Sequence, residues 1–190
     1  MEVVTNNNFS FLIKEYEKLK DEQRKRIEFR DQMVYLTLGV VGTVFSFAVE
    51  KPDLTSAYLV LPFICMILGW TYLVNDEKIT SIATYVRKGL IPKLDQLSRD
   101  KNDALAETWE DFRRSDSLRK QRKWLQLIVD LSLFCLSGAF SIIAFLIFSK
   151  NLSWYHIVIM VFEGQFILYL SFQFYRYADL WERENSFVTN

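Results

Sequence analysis

The chain has 190 residues, 51% of them hydrophobic and 16% aromatic, and its 23 Lys and Arg are offset by 23 Asp and Glu to a formal net charge of zero. That balance offers neither an electrostatic footprint for nucleic acid nor a polybasic arm for anionic lipid, and a single histidine excludes a multi-histidine metal site within one chain. The charges crowd into residues 14–31 and 76–123, leaving four other stretches almost free of them, an unevenness foreign to a soluble domain of equal composition.

Residues 1–14 mix Glu2 with three asparagines and a few apolar residues. They lack the basic start and long apolar run of a secretory signal, so no cleaved leader is expected. Residues 11–30 are rich in Lys, Glu, Gln and Leu and contain no Gly or Pro, which favours a helix running directly into the first apolar stretch. Leu12, Tyr16 and Leu19 give it one narrow hydrophobic stripe.

Crossing a hydrocarbon core of ~30 Å takes about 20 mainly apolar helical residues. Residues 32–49, 57–74, 124–149 and 154–175 qualify, the first two slightly short and the third slightly long, differences that local thinning or tilt absorbs. Tyr58, Trp124, Trp154, Tyr155 and Tyr175 lie near the predicted boundaries, where interfacial aromatics belong. In the first span Gly39, Gly42, Thr43 and Ser46 form a face suited to close packing. In the second, Pro62 predicts a kink and Gly69 a close approach by a neighbour. Cys65 and Cys135 read as small reduced hydrophobes without a partner at metal-ligand spacing.

Between the second and third spans, Ile79, Ile82, Val86 and Leu90 form another stripe. A break is expected near Pro92, followed by Leu94 and Leu97, a loop over 98–102, and a piece carrying Leu105, Trp109 and Phe112. Ser115-Asp116 is suited to capping the helix that enters the third span. These stripes pack on one another, lie in the headgroup region or bind a second protein, with Trp109 and Phe112 the candidate partner-binding residues.

Lys51 and Lys150 are the only two of the 23 basic residues on the side of the short turns. The positive-inside rule therefore places both termini and the long central segment in the cytoplasm. The expected fold is all-α: a polytopic membrane protein with a four-transmembrane-helix bundle and cytoplasmic helical extensions. Its parts are a cytoplasmic N-terminal helix (1–31), a transmembrane hairpin (32–75), a cytoplasmic helical segment (76–123), a second transmembrane hairpin (124–175) and a cytoplasmic tail (176–190).

Asp130 and Glu163 carry the most information. A carboxylate at mid-span costs on the order of 3 kcal/mol on insertion scales, so it is expected to face protein or water. Asp130 lies six residues after Trp124 and Glu163 nine after Trp154, which puts them at different depths, so no mutual pair is expected. Asp130 shares a face with Ser137, Ser141 and Ala144, and Arg30, Arg176, Tyr35 or Asn75 could reach it. Glu163 shares a face with His156 and Leu170, while Gln165, Tyr169 and Gln173 fall on another side. Two polar faces on one span imply a homo-oligomer or an aqueous cavity. The intramembrane candidates are thus Asp130, His156, Glu163, Gln165 and Gln173.

The strings Glu22-Gln23 through Phe29-Arg30-Asp31, Tyr35-Leu-Thr-Leu-Gly39, and Leu68-Gly-Trp-Thr-Tyr-Leu-Val-Asn-Asp-Glu-Lys78 with Tyr85-Val-Arg87 resemble a widespread group of uncharacterised bacterial four-span integral membrane proteins. The resemblance covers much of residues 12–130 and implies a fold and a bacterial inner membrane, with no activity or site attached. In layout the chain is also similar to the small four-span membrane subunits of antiphage systems such as Kiwa. The polar residues of these strings, Arg30, Asp31, Asn75, Asp76 and Lys78, gather with Arg176 at the cytoplasmic mouths of the spans, as an interfacial charge network or a coupling switch.

No phosphate-cradling glycine loop, nucleophile elbow or cysteine pair is present in the sequence, so neither an enzyme nor a cofactor is expected. The leading expectation is an oligomeric inner-membrane protein that conducts ions or perturbs the membrane, as effector or sensor of a defence or stress system. The alternative is a non-conducting anchor or sensor that recruits a soluble cytoplasmic protein.

Overall fold

A computed structural model describes residues 2–50, 52–99, 117–149 and 151–178. The chain is helical, with no strand among the described residues. Helix α1 (Glu2–Glu50) is followed by a 3₁₀ segment (Pro52–Leu59), α2 (Val60–Tyr85), a π-helical turn (Val86–Leu90), α3 (Ile91–Arg99), α4 (Arg119–Asp130), a second π-helical turn (Leu131–Leu136), α5 (Ser137–Phe148) and α6 (Trp154–Tyr177). Four helical stretches are long and apolar enough to cross a membrane: Asn8–Glu50, Thr55–Ser98, Arg119–Phe148 and Trp154–Tyr177. The chain divides into two compact units, one of Met1–Arg30 with Val74–Arg119, the other of Asp31–Leu73 with Lys120–Asn190.

The first unit is an antiparallel helix pair. Arg26, Gln23 and Glu15 of α1 bond respectively to Asn75, the Ile79 carbonyl and Tyr85 of α2, so partner numbers rise as α1 numbers fall. Of the stripe expected at Ile79, Ile82, Val86 and Leu90, three residues are buried in this unit and Ile82 is half-buried, and Leu94 is buried with them. Runs of four-residue spacing drift by about 40° per step on a 3.6-residue helix, and the π turn at 86–90, closed by the Ile91 N–H on the Val86 carbonyl, takes up the excess residue. The expected break at Pro92 does not occur. Pro92 is the second residue of α3, and the helix runs through it from the π turn at 86–90.

The second unit holds two hydrophobic clusters. Tyr72, Leu73, Leu127, Phe134, Cys135, Leu170 and Phe174 form one, and Ala48, Tyr58, Leu59, Ala144 and Phe145 the other. Phe134 stands at the centre of the first, its ring 5.1 Å from that of Tyr72 and stacked 5.7 Å from that of Phe174. Gly69 permits this packing: a Cβ there would lie 2.9 Å from Leu170 Cδ2 and 3.1 Å from Phe134 Cβ. Tyr58, near a predicted span boundary, is 2% exposed, its ring set against those of Phe45 and Phe148. Among the described residues, no atom outside the adjoining helix backbone lies within 4 Å of where a Cβ of Gly39 or Gly42 would stand, and Thr43 and Ser46 on the same stretch of α1 are exposed.

One buried hydrogen bond joins the halves of this unit. Pro62 has no N–H to give the carbonyl of Tyr58 four residues earlier, and Ser141 Oγ donates to that carbonyl at 2.5 Å. Gly138, one turn before Ser141, lets the helices meet, a Cβ there standing 3.4 Å from Pro62 Cα. Ser141→Ala removes the hydroxyl without adding an atom and takes that donor from the buried carbonyl. It is expected to cost about 1–3 kcal/mol, read as a lowered midpoint of unfolding in detergent, whereas Ser137→Ala at a half-buried position should change it by less than about 0.5 kcal/mol.

Candidate functional site

Glu163 lies on the inward face of α6. Met160 packs on the second cluster and Ile167, Leu170 and Phe174 belong with the first; 160, 163, 167, 170 and 174 repeat at three and four residues, one face of a helix. The Glu163 side chain therefore sits between two hydrophobic clusters of its own chain. It is 7% exposed, and its Oε2 is buried without a hydrogen-bond partner. No cation pairs with it among the described residues.

Ten residues further along α6, Gln173 is likewise 7% exposed, with Oε1 buried and unpartnered. The sequence reading grouped Gln173 with Gln165 and Tyr169, but the structure separates them: Gln165 and Tyr169 are exposed, Tyr169 stacking on Trp70 at 6.2 Å. Polar residues on α6 thus divide into an inward pair, Glu163 and Gln173, and an outward Gln165. His156 has a local duty. Its Nδ1 accepts the Ser153 backbone N–H at 3.2 Å, and together with the Ser153 side chain completes a capping box at the start of α6. Its ring packs 5.1 Å from that of Phe145.

Asp130 ends α4 and is 7% exposed. The π turn that follows is closed by the Ser137 N–H on the Ser132 carbonyl, and its extra residue widens the inward face so that Phe134 and Cys135 are both buried. Ser141 and Ala144 are buried on this face as Asp130 is, while Ser137 is half-buried, its Oγ donating to the Ser132 carbonyl. Of the partners considered for Asp130, Tyr35 is 73% exposed and points away from the interior. Nearby in the same unit, Gln126 Nε2 donates to the Tyr72 hydroxyl at 3.2 Å.

In the first unit Arg30 and Asp76 form an ion pair of 2.9 Å, their side chains 23% and 16% exposed. Arg26 Nη1 donates to Asn75 Oδ1 at 3.3 Å while its other nitrogens hold Glu22. Gln23, 7% exposed, donates to the Ile79 carbonyl at 3.4 Å. The Tyr85 hydroxyl donates to Glu15 at 3.0 Å, which holds the phenol above its ordinary 10.0. Lys78 and Asp31 are exposed, and Arg176, in the second unit, stands 5.9 Å from the Tyr177 ring. Arg26, Gln23, Glu15 and Tyr85 were not singled out from sequence, because charged and polar residues on a soluble helix face carry no signal of their own until a partner is found. Trp109 and Phe112 lie outside the described residues. No group of three or more His, Cys, Asp or Glu able to hold a metal exists among the described residues. No known protein family, curated protein or solved structure matches the chain.

Proposed function

We propose that the chain is an integral protein of a bacterial inner membrane, with both termini and the 76–123 segment cytoplasmic, that assembles with copies of itself and conducts ions. The observation that carries this reading is Glu163, a carboxyl group set between two hydrophobic clusters with one oxygen unpartnered. A structural carboxylate in such a place would be paired, and an intramembrane ionisable residue without a partner marks an ion or proton path. Assembly is supported by two features of the outer surface. Gly39, Gly42, Thr43 and Ser46 present an uncovered small-residue face, and Gln165 exposes an amide amid apolar residues, a group that gains from bonding across a helix interface.

The layout resemblance to membrane subunits of antiphage systems supports a place as effector or sensor of a defence or stress response. A nuclease or nucleotide-signalling enzyme encoded beside it would go with that role.

Purified protein in liposomes is expected to dissipate an imposed ion gradient, and Glu163→Gln to lower the rate at least ten-fold without changing the oligomer seen by native mass measurement. Silent vesicles containing an intact oligomer would count against conduction.

A further inference from the structure

The ion and its route follow from what surrounds Glu163, given that the conduction reading above holds. We infer that the conducted species is the proton, that Glu163 is the group that binds it in transit, and that the path runs inside the helix bundle of each chain rather than along an axis between chains.

The choice of ion rests on ligand count. A metal cation that has left water needs several oxygen ligands held around it, six or more for the larger hard cations. The inward face of α6 gives Glu163 only Met160, Ile167 and Leu170 as neighbours along the helix, and helical carbonyls are already committed to the backbone ladder. A proton needs one oxygen. It converts a carboxylate, costly in apolar surroundings, into a neutral acid, and Glu163 Oε2 is a buried oxygen with nothing bonded to it.

The route rests on burial. Glu163 and Gln173 are each 7% exposed within a single chain, so their polar atoms do not await a neighbouring subunit. Other polar groups mark the same interior. At one end are Asp130 and the Gln126–Tyr72 pair, then Gln173, then Cys135 beside Ser171. Beyond Glu163 come Ser141 on the Tyr58 carbonyl and, at the start of α6, His156 on Ser153. Along α6, residues 173, 163 and 156 are separated by about 15 Å and about 10 Å at 1.5 Å per residue, so water must enter between these groups for a proton to pass from one to the next. The buried titratable groups on the elements of this unit are Tyr58, Cys65 and Tyr72 on the 3₁₀ segment and α2, and Asp130 and Cys135 on α4 and its π turn, with Lys123 of α4 and His156 and Tyr177 of α6 half-buried. None is paired with Glu163 among the described residues, which leaves its carboxyl free to take up and release a proton.

The test uses the full chain in liposomes loaded with a pH-sensitive dye, with a potassium diffusion potential set by valinomycin, and parallel vesicles read for sodium and potassium flux. The wild type should move protons, with sodium and potassium flux at the level of empty vesicles. Glu163→Gln should lower proton flux at least ten-fold, and Val161→Leu, on an exposed side of the same helix, should leave it within two-fold. Dicyclohexylcarbodiimide, which adds to protonated carboxyls in apolar surroundings, gives an arm that needs no folded variant: it should label Glu163 of the wild type, found by peptide mass, and block flux in proportion to labelling. Sodium or potassium flux sensitive to Glu163→Gln would overturn the proton assignment while leaving conduction standing. No flux of any of the three ions from an intact oligomer would remove both. Proton flux indifferent to labelling of Glu163 would overturn its role.

Discussion

Gly69→Leu is expected to abolish the folded bundle, and Gly69→Ala to destabilise it by about 1–3 kcal/mol, the usual cost of overpacking a well-filled core. Even an added Cβ would lie 2.9 Å from Leu170 Cδ2 and 3.1 Å from both Cβ and Cγ of Phe134. The Leu170 methyl is the end of a flexible side chain and can turn aside. Phe134 cannot, because its ring is 1% exposed and held between Tyr72 and Phe174. Alanine gains about 1 kcal/mol of helix propensity over glycine, which reduces the net cost without reversing it. The comparison that isolates packing is Gly42→Ala, where no atom lies within 4 Å. There the propensity gain stands alone, so the unfolding midpoint in detergent should hold or rise. If Gly69→Ala and Gly42→Ala shift it alike, the close approach of Gly69 to Phe134 is wrong.

Gly42 also separates folding from assembly. Gly42→Leu should leave the fold of one chain intact and shift native mass toward the monomer if the small-residue face is a subunit contact. A Gly42→Leu protein with an unchanged oligomer would place the contact elsewhere on the surface.

The helices were legible in the sequence because apolar run length and the 3.6-residue period report them directly, whereas which of the two polar faces of α6 turns inward was left open, since the period shows that faces exist and not which one meets the bundle. Gly69 was legible too, because small residues in apolar helices mark close contacts. The two π turns were not. A shift of one residue in the hydrogen-bond ladder leaves no composition signal, and period counting through 130–144 assumed a regular helix, which is how Ser137 came to be grouped with the buried Ser141. The place of Tyr58 was hidden for a different reason. An aromatic beside a predicted boundary suits an interface, and its burial depends on partners distant in sequence: the rings of Phe45 and Phe148 and the Ser141 hydroxyl on its carbonyl, 83 residues away. Gln173 was assigned to the wrong side because it lies eight residues from Gln165, a spacing close enough to two helical turns to suggest a common face, whereas the packed helices place one inside and the other out.

Arg30→Met is expected to destabilise the first unit by about 1–3 kcal/mol, less than the 3–5 kcal/mol of a fully buried pair broken on one side because some solvent still reaches it. The guanidinium and the Asp76 carboxylate meet at 2.9 Å with 23% and 16% of their side chains exposed, so truncating the arginine leaves a largely enclosed carboxylate without its cation. The i,i+3 pair of Arg24 and Asp21 supplies the contrast: similar in distance at 3.1 Å but 70% and 65% exposed, it lies in the range where surface pairs contribute less than about 1 kcal/mol, and Arg24→Met should be near neutral. A double-mutant cycle of Arg30→Met with Asp76→Val, read by the helical circular dichroism melt of the full chain in detergent, should return a coupling of about 1–2 kcal/mol. The paired change should be milder than Arg30→Met alone, since removing both charges also removes the stranded one. Coupling should fall only slightly in high salt, because ions screen enclosed charges poorly. A coupling near zero, or one erased by salt, would reduce the Arg30–Asp76 pair to a surface contact and leave the helix pair to its buried apolar residues and the bonds of Arg26, Gln23 and Tyr85.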